Sequence, residues 1–187
     1  MDTLGHTSTT GRISRRNVLR TTAATGVVVT AGVTPTTAQQ DGDLIWEFEI
    51  GGFIFSSPTI VDNTLYIGGY DGTVYAIEAT NGEQQWGFDI GQPILSSPTV
   101  AGETVFVGSD DGSIYGINRE TGDQQWSTEL GDLISSSPTV AAGTVFVGDS
   151  SGSFHALDAS TGEKQWSVTT GDSVTSSPTV SNGTVYI

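Results

Sequence analysis

From residue 45 onward the chain is a succession of short apolar runs with no 3.6-residue period, each cut off by Gly, Asn, Asp or Pro. Runs this short, rich in Val, Ile, Thr and aromatic residues and bounded by turn formers, predict strands rather than helices. Four can be read in the unit that starts at Ile94: Ser97 to Val100, Thr104 to Val107, Ser113 to Ile117 and Gln124 to Thr128. Pro98 cannot donate to a ladder, so it belongs at the start of the first strand or on an unpaired side. Gly102-Glu103 leads into the second strand, Asp110-Asp111-Gly112 into the third and Thr121-Gly122 into the fourth. Asp-Gly between two β runs is a hairpin signal, because the turn needs positive φ.

The unit recurs. Trp46, Trp86, Trp126 and Trp166 are spaced by forty residues, as are Gly51, Gly91, Gly131 and Gly171, and Ser-Ser-Pro-Thr begins at Ser56, Ser96, Ser136 and Ser176. Four antiparallel strands per forty residues are the mark of a propeller blade. A β-helix coil is shorter, and a helical repeat would show the missing period. The predicted fold class is therefore all-β, a β-propeller of four-stranded antiparallel blades. Complete blades fall at 53–90, 93–130 and 133–170, and a partial one at 173–187. Three blades and two strands cannot close a ring and leave raw sheet edges. The expectation is a truncated or partly sequenced chain, with assembly from two half-propellers as the alternative.

The stretch Ala156-Leu157-Asp158-Ala159-Ser160-Thr161-Gly162-Glu163-Lys164-Gln165-Trp166 closely resembles the tryptophan-docking motif of quinoprotein-type (PQQ-like) propellers, Ala-x-Asp-x-x-Thr-Gly-x-x-x-Trp. Ala76 to Trp86 is a variant with Glu78 and Asn81 in place of the Asp and Thr. Gly116 to Trp126 is another, with Gly116 for the Ala and Asn118 for the Asp. No Trp-Asp or Gly-His dipeptide occurs in 43–187, so tryptophan-aspartate propellers fit worse. The resemblance implies that each Trp ring packs between blades against a small-residue surface. It marks Gly82, Trp86, Gly122, Trp126, Gly162 and Trp166 as blade-docking residues. It also implies that the Trp strand is outermost in its blade and that Asp43–Ile50 serves as the outer strand of the final blade.

The first forty residues read as an address. Ser14-Arg15-Arg16-Asn17-Val18-Leu19-Arg20 precedes a mildly apolar run, Thr21 to Val33, and then Thr36-Thr37-Ala38. A basic region, an apolar stretch and a small-residue cleavage site form the layout of a secretory signal. The arginine pair resembles the twin-arginine export signal, with Val18 where Phe is commonest. It implies a signal peptide at 1–38 cleaved after Ala38, a short linker at 39–42, the twin-arginine machinery as a partner, and an extracellular or cell-surface location. The apolar stretch is too short and too rich in Thr and Gly for a stable membrane anchor. With no cysteine following, there is no site for lipid attachment.

Charge sharpens the picture. Beyond the first forty residues there are 20 acids against 2 bases, Arg119 and Lys164, a balance of 2 − 20 = −18. Such a surface repels nucleic acid. It also opposes compaction until salt shortens the Debye length to about 3 Å near 1 M, which reads as adaptation to high salt. Four Trp and regular β segments exclude a disordered acidic chain.

Candidate chemistry is sparse. Quinoprotein dehydrogenases, the main enzymatic alternative, hold pyrroloquinoline quinone between a Trp and vicinal cysteines, and Ca²⁺ with Glu, Asn and Asp. This sequence has no cysteine, so no cofactor is predicted, and PQQ and Ca²⁺ belong only to a reading in which catalytic residues lie in a missing C-terminal half. Asp71, Asp110 and Asp111 are better explained by turns than by calcium, which needs six to eight convergent oxygens. His155 stands in the slot of Tyr75 and Tyr115, a packing position. The repeated serines lack the one distinctive partner that an activated nucleophile requires. The sequence thus favours a binding scaffold over an enzyme, with a protein or extracellular polymer bound through a propeller face.

Overall fold

The computed structural model describes residues 11–14 and 45–187, and its elements are all strands. The first two, β1 (Gly11–Ser14) and β2 (Glu47–Ile50), form an antiparallel pair. Three four-stranded blades follow. The first contains β3 (Thr59–Val61), β4 (Thr64–Gly68), β5 (Thr73–Glu78) and β6 (Gln84–Asp89). The second contains β7 (Thr99–Ala101), β8 (Thr104–Gly108), β9 (Ser113–Asn118) and β10 (Gln124–Glu129). In the third are β11 (Thr139–Ala141), β12 (Thr144–Gly148), β13 (Ser153–Asp158) and β14 (Lys164–Thr169). A two-stranded sheet, β15 (Thr179–Ser181) and β16 (Thr184–Tyr186), completes the chain order. The all-β propeller architecture expected from the period is borne out.

Each blade is a meander with its short first strand innermost, since β3, β7, β11 and β15 lie side by side. These strands begin at the Thr after the Ser-Pro pair, two residues later than the apolar pattern suggests, because Ser97 and its equivalents bond across to the next blade instead. The second strands are buried on both faces, which is why they read as continuous apolar runs. Alternate residues face opposite neighbours. Leu65 and Ile67 pack with Trp46 and Ile50 on one side, while Tyr66 packs toward Ile94, Val105 and Val107 of the second blade. The core is therefore a series of joints between blades rather than one central mass.

The fourth strand carries a bulge. Ala76 pairs with Trp86 but Ile77 pairs with Gln84, so Gln85 is the extra residue, and the other two blades repeat the shift. A bulge re-aims the side chains beside it, and Trp86 and Trp126, each next to one, point toward the following blade. The turn before the third strand needs glycine, with φ of 87°, 82° and 85° at Gly72, Gly112 and Gly152. A Cβ at Gly72 or Gly152 would also strike the backbone of the linker to the next blade, at 2.8 and 2.7 Å.

Strand β2, expected as the outer strand of a final blade, pairs among the described residues with β1, in the register Gly11↔Ile50 to Ser14↔Glu47. An edge strand accepts whichever segment offers a matching ladder. Trp46, just ahead of β2, and Ile50, at its end, still pack against Leu65, Ile67 and Ile77 of the first blade. Arg15-Arg16, the apolar run and the cleavage site fall outside the described residues. Among the described residues no helix is long and apolar enough to cross a membrane.

Candidate functional site

Except for Trp166, the blade-docking residues come together in Trp–Gly pairs that join successive units. Trp86, 8 % exposed, lies against Gly122, where a Cβ would stand 2.8 Å from the ring, and its indole N–H donates to Arg119 O at 2.9 Å. Trp126 meets Gly162 in the same way, a Cβ there falling 2.4 Å from the ring, and donates to Ala159 O at 3.1 Å. Gly82 receives Trp46, which donates to Ala79 O at 3.1 Å. Trp46 was absent from the docking set implied by the motif, because no complete motif precedes it. Trp166 contacts Phe146 and Phe154 of its own blade and is 44 % exposed. The Gly at the Ala position of the second motif is also explained. A Cβ on Gly116 would lie 2.4 Å from Trp126.

Around the axis, the Ser-Ser-Pro-Thr repeats are occupied by the scaffold. Ser56, Ser96 and Ser136 each donate to the carbonyl of the glycine closing the second strand, and accept from its N–H. The next serine's hydroxyl accepts the N–H of its counterpart one blade earlier, Ser97 from Ser57 and Ser137 from Ser97. Thr59, Thr99 and Thr139 donate at 2.6 Å to the proline carbonyl of the following blade. These hydroxyls stitch blades together; none is set beside an activating base.

The turn carboxylates are similarly committed. Asp71 accepts from Gly51 N–H, Thr73 N–H and the Tyr75 hydroxyl, and Asp111 from Ser113 N–H and the Tyr115 hydroxyl. Burial, reinforced by these carboxylates, pushes both tyrosines up to about 12. Asp71 and Asp111 sit on different blades. Among the described residues no three His, Asp or Glu side chains converge as metal ligands.

The third blade rewires this pair. His155 takes the tyrosine slot, and its carboxylate partner moves two residues back in the turn to Asp149, at 3.0 Å from Nε2. Both side chains are almost fully buried. Burial alone would raise the Asp149 carboxyl, but hydrogen bonds from His155, Ser151 and Ser153, with the His155 charge, outweigh it and hold the carboxyl below its usual range. Asp149 O also accepts Val174 N–H from the next unit. His155 was readable from the repeat as a packing position, but its partner was not. Asp149 replaces Gly69 and Ser109, so only a comparison of whole turns would have found it.

Pyrroloquinoline quinone does not fit these residues. There is no cysteine, and Trp46, Trp86 and Trp126 are lodged between blades with their N–H groups on backbone carbonyls.

The face that gathers the third-strand turns holds a feature that the strand pattern did not reveal. Phe53, Phe55 and Tyr70 are exposed there and contact one another. The opposite face holds a shallow depression between Asp62, Tyr66, Gln85, Arg119 and Glu120, crossed by an Arg119–Asp62 ion pair at 2.9 Å. That pair is too solvated to contribute much.

Comparison with known proteins agrees with this geometry. The chain superposes on BamB from Moraxella catarrhalis with a TM-score of 0.67 at 23 % identity, covering 78 % of this chain and 50 % of that one. It superposes on the quinohemoprotein alcohol dehydrogenase from Comamonas testosteroni at 0.57 and 23 %, covering 63 % and 21 %. The computationally designed Ika8 protein gives 0.66 and 19 %, covering 73 % and 42 %. The sequence thus spans half the length of that BamB and less of the others, and these likenesses concern the fold. No curated protein matches in sequence. The family model described as outer membrane protein assembly factor BamB matches residues 31–136 and 130–187. With its forty-residue blades, Trp-in-Gly joints and a match across most of its length, the chain belongs to this family of PQQ-like propeller repeats.

Proposed function

We propose that this protein is an exported, salt-adapted propeller that works as a binding scaffold, holding a protein partner on one of its loop faces. The observation that carries the reading is the commitment of the polar groups. The axial hydroxyls and the turn carboxylates of Asp71 and Asp111 are occupied by the fold, leaving surfaces rather than a reaction centre. The description of the family as an outer membrane protein assembly factor supports both a partner and a place outside the cytoplasm. Export by the twin-arginine route rests on the arginine pair at 15–16, the apolar run behind it and the small residues at 36–38.

Photo-crosslinking in intact cells of the source organism tests the scaffold. A crosslinker at Ser150 samples one face, at Glu120 the other, and at Ser127 the outer strand. Adducts to one protein from a single face are the expected outcome. Equal labelling from all three positions, or oxidation of an alcohol after addition of pyrroloquinoline quinone and Ca²⁺, would overturn it.

Salt adaptation has its own test. With 20 acids and 2 bases in the body, the β circular dichroism signal should be lost as salt falls below about 1 M, where screening lengthens beyond about 3 Å. A native spectrum in dilute buffer would remove that part of the reading.

A further inference from the structure

Three aromatic rings stand out of the face built by residues 51–56 and 69–72. Phe53 is 56 % exposed, Phe55 61 % and Tyr70 44 %. Their centroids are 6.0, 6.1 and 5.8 Å apart, with the planes steeply inclined. Tyr70 N–H donates to Phe53 O, which fixes the two loops against each other.

The repeat provides an internal control. The equivalent positions hold Pro93, Leu95 and Asp110 in the second blade, and Leu133, Ser135 and Ser150 in the third. The fold therefore does not need aromatic residues here. Phe53's counterpart Leu133, with a complete blade before it, is still 43 % exposed, whereas the counterparts of Phe55 and Tyr70 in the second and third blades are half-buried.

Charge selects the occupant. Asp71, Asp110, Asp111, Asp132 and Asp172 lie on this face, spread over successive blades. Among the described residues, Arg119 and Lys164 sit at the other ends of the strands, one just after β9 and the other opening β14. Asp110 is continuous with the aromatic group. Gly72 packs on the Gln92 backbone, and the neighbouring Pro93 O accepts Asp110 N–H. Asp110 Oδ1 is buried and has no hydrogen-bond partner, an acceptor in need of a donor. Burial, then Asp111, raises its carboxyl pKa, a cost that an approaching cation would relieve. Above three centroids spaced as these are, a single point lies within about 6 Å of all of them, the range over which a cation is drawn to aromatic faces.

We propose that this face binds a cationic polypeptide segment, with one Arg or Lys side chain seated on Phe53, Phe55 and Tyr70 and the following basic residues along the carboxylates of the second blade. A polypeptide is favoured over a small cation because the carboxylates extend across several blades. The inference rests on the scaffold reading and names the surface and the chemistry of its partner.

The test uses a fluorescent hexa-arginine peptide, with hexaglutamate as control, and anisotropy titration at the lowest salt concentration where the β spectrum is intact, because attraction along the carboxylates is screened beyond about 3 Å near 1 M. The variant Phe53→Leu/Phe55→Ser/Tyr70→Ser carries the third blade's own residues and should melt like the parent. It should bind hexa-arginine about two- to fivefold more weakly, as expected for loss of an exposed cation–aromatic site. Asp110→Asn should weaken binding independently. Equal affinity of parent and triple variant, or hexaglutamate binding as well as hexa-arginine, would overturn the proposal. A partner still cross-linked from this face would in that case leave the scaffold reading intact.

Discussion

Trp126→Ala should destabilise the protein by about 3–5 kcal/mol, the range for truncating a buried Trp. The ring fills the joint between the second and third blades, where it packs with Phe106, Ile134, Val145 and Leu157 and closes on Gly162. Removing it also strands Ala159 O, which accepts the indole N–H. Trp166→Ala supplies the contrast. Within these 187 residues its ring has the same sequence context but is 44 % exposed, so in a chain of this length its loss should cost well under half as much. Urea unfolding followed by circular dichroism at fixed salt measures both. Equal losses would mean that the exposed and inserted rings contribute alike, and that the joints do not hold the blades.

The second large effect belongs to the rewired pair of the third blade. Asp149→Ala leaves His155 buried beside no carboxylate and frees the donors of Ser151 and Ser153. Breaking a buried pair from one side typically costs about 3–5 kcal/mol. The pH dependence has a definite sign. The folded carboxyl is held below its unfolded value, so its contribution is complete above the unfolded pKa, about 3.9, and fades as pH falls through the folded one. The share of the stability that the Asp149 carboxylate contributes should therefore be lost below about pH 4. Rescue makes the prediction strict. Asp149→Ser/Ser151→Asp/His155→Tyr installs the second blade's arrangement and should restore most of the loss. Failure of that triple variant to recover stability would show that the third blade needs His155 for something other than its turn.

Much of the fold was legible in the sequence because every blade restates it. The Trp and Gly periods, the Asp-Gly turns and the Ser-Ser-Pro-Thr repeat fix strand number, order and outward direction, and of the three Trp residues that the motif marks for docking, Trp86 and Trp126 enter a following blade while Trp166 does not. Trp46 escaped because its motif is cut short. The start of each first strand was misplaced by two residues, since Ser97 looks like part of a strand yet spends its groups on neighbouring blades. What the period could not show is what breaks it. Asp149 and the trio Phe53, Phe55 and Tyr70 are departures from the repeat, and their meaning lies in side chains from separate loops meeting in space. In a repeat protein the shared residues describe the scaffold, and the exceptions point to function.

The bonds that join one blade to the next share a span. Ser57 to Ser97, Thr59 to Pro98 and Trp86 to Arg119 are 40, 39 and 33 residues apart. Every new blade can thus be locked onto its predecessor by residues that leave the ribosome within one further period. At about 5–20 residues per second, that is a delay of about 2–8 seconds. Contacts of such limited sequence separation avoid the search that slows most all-β folds. The growing chain can add blades in order during synthesis, each one covering the apolar face left by the blade before it.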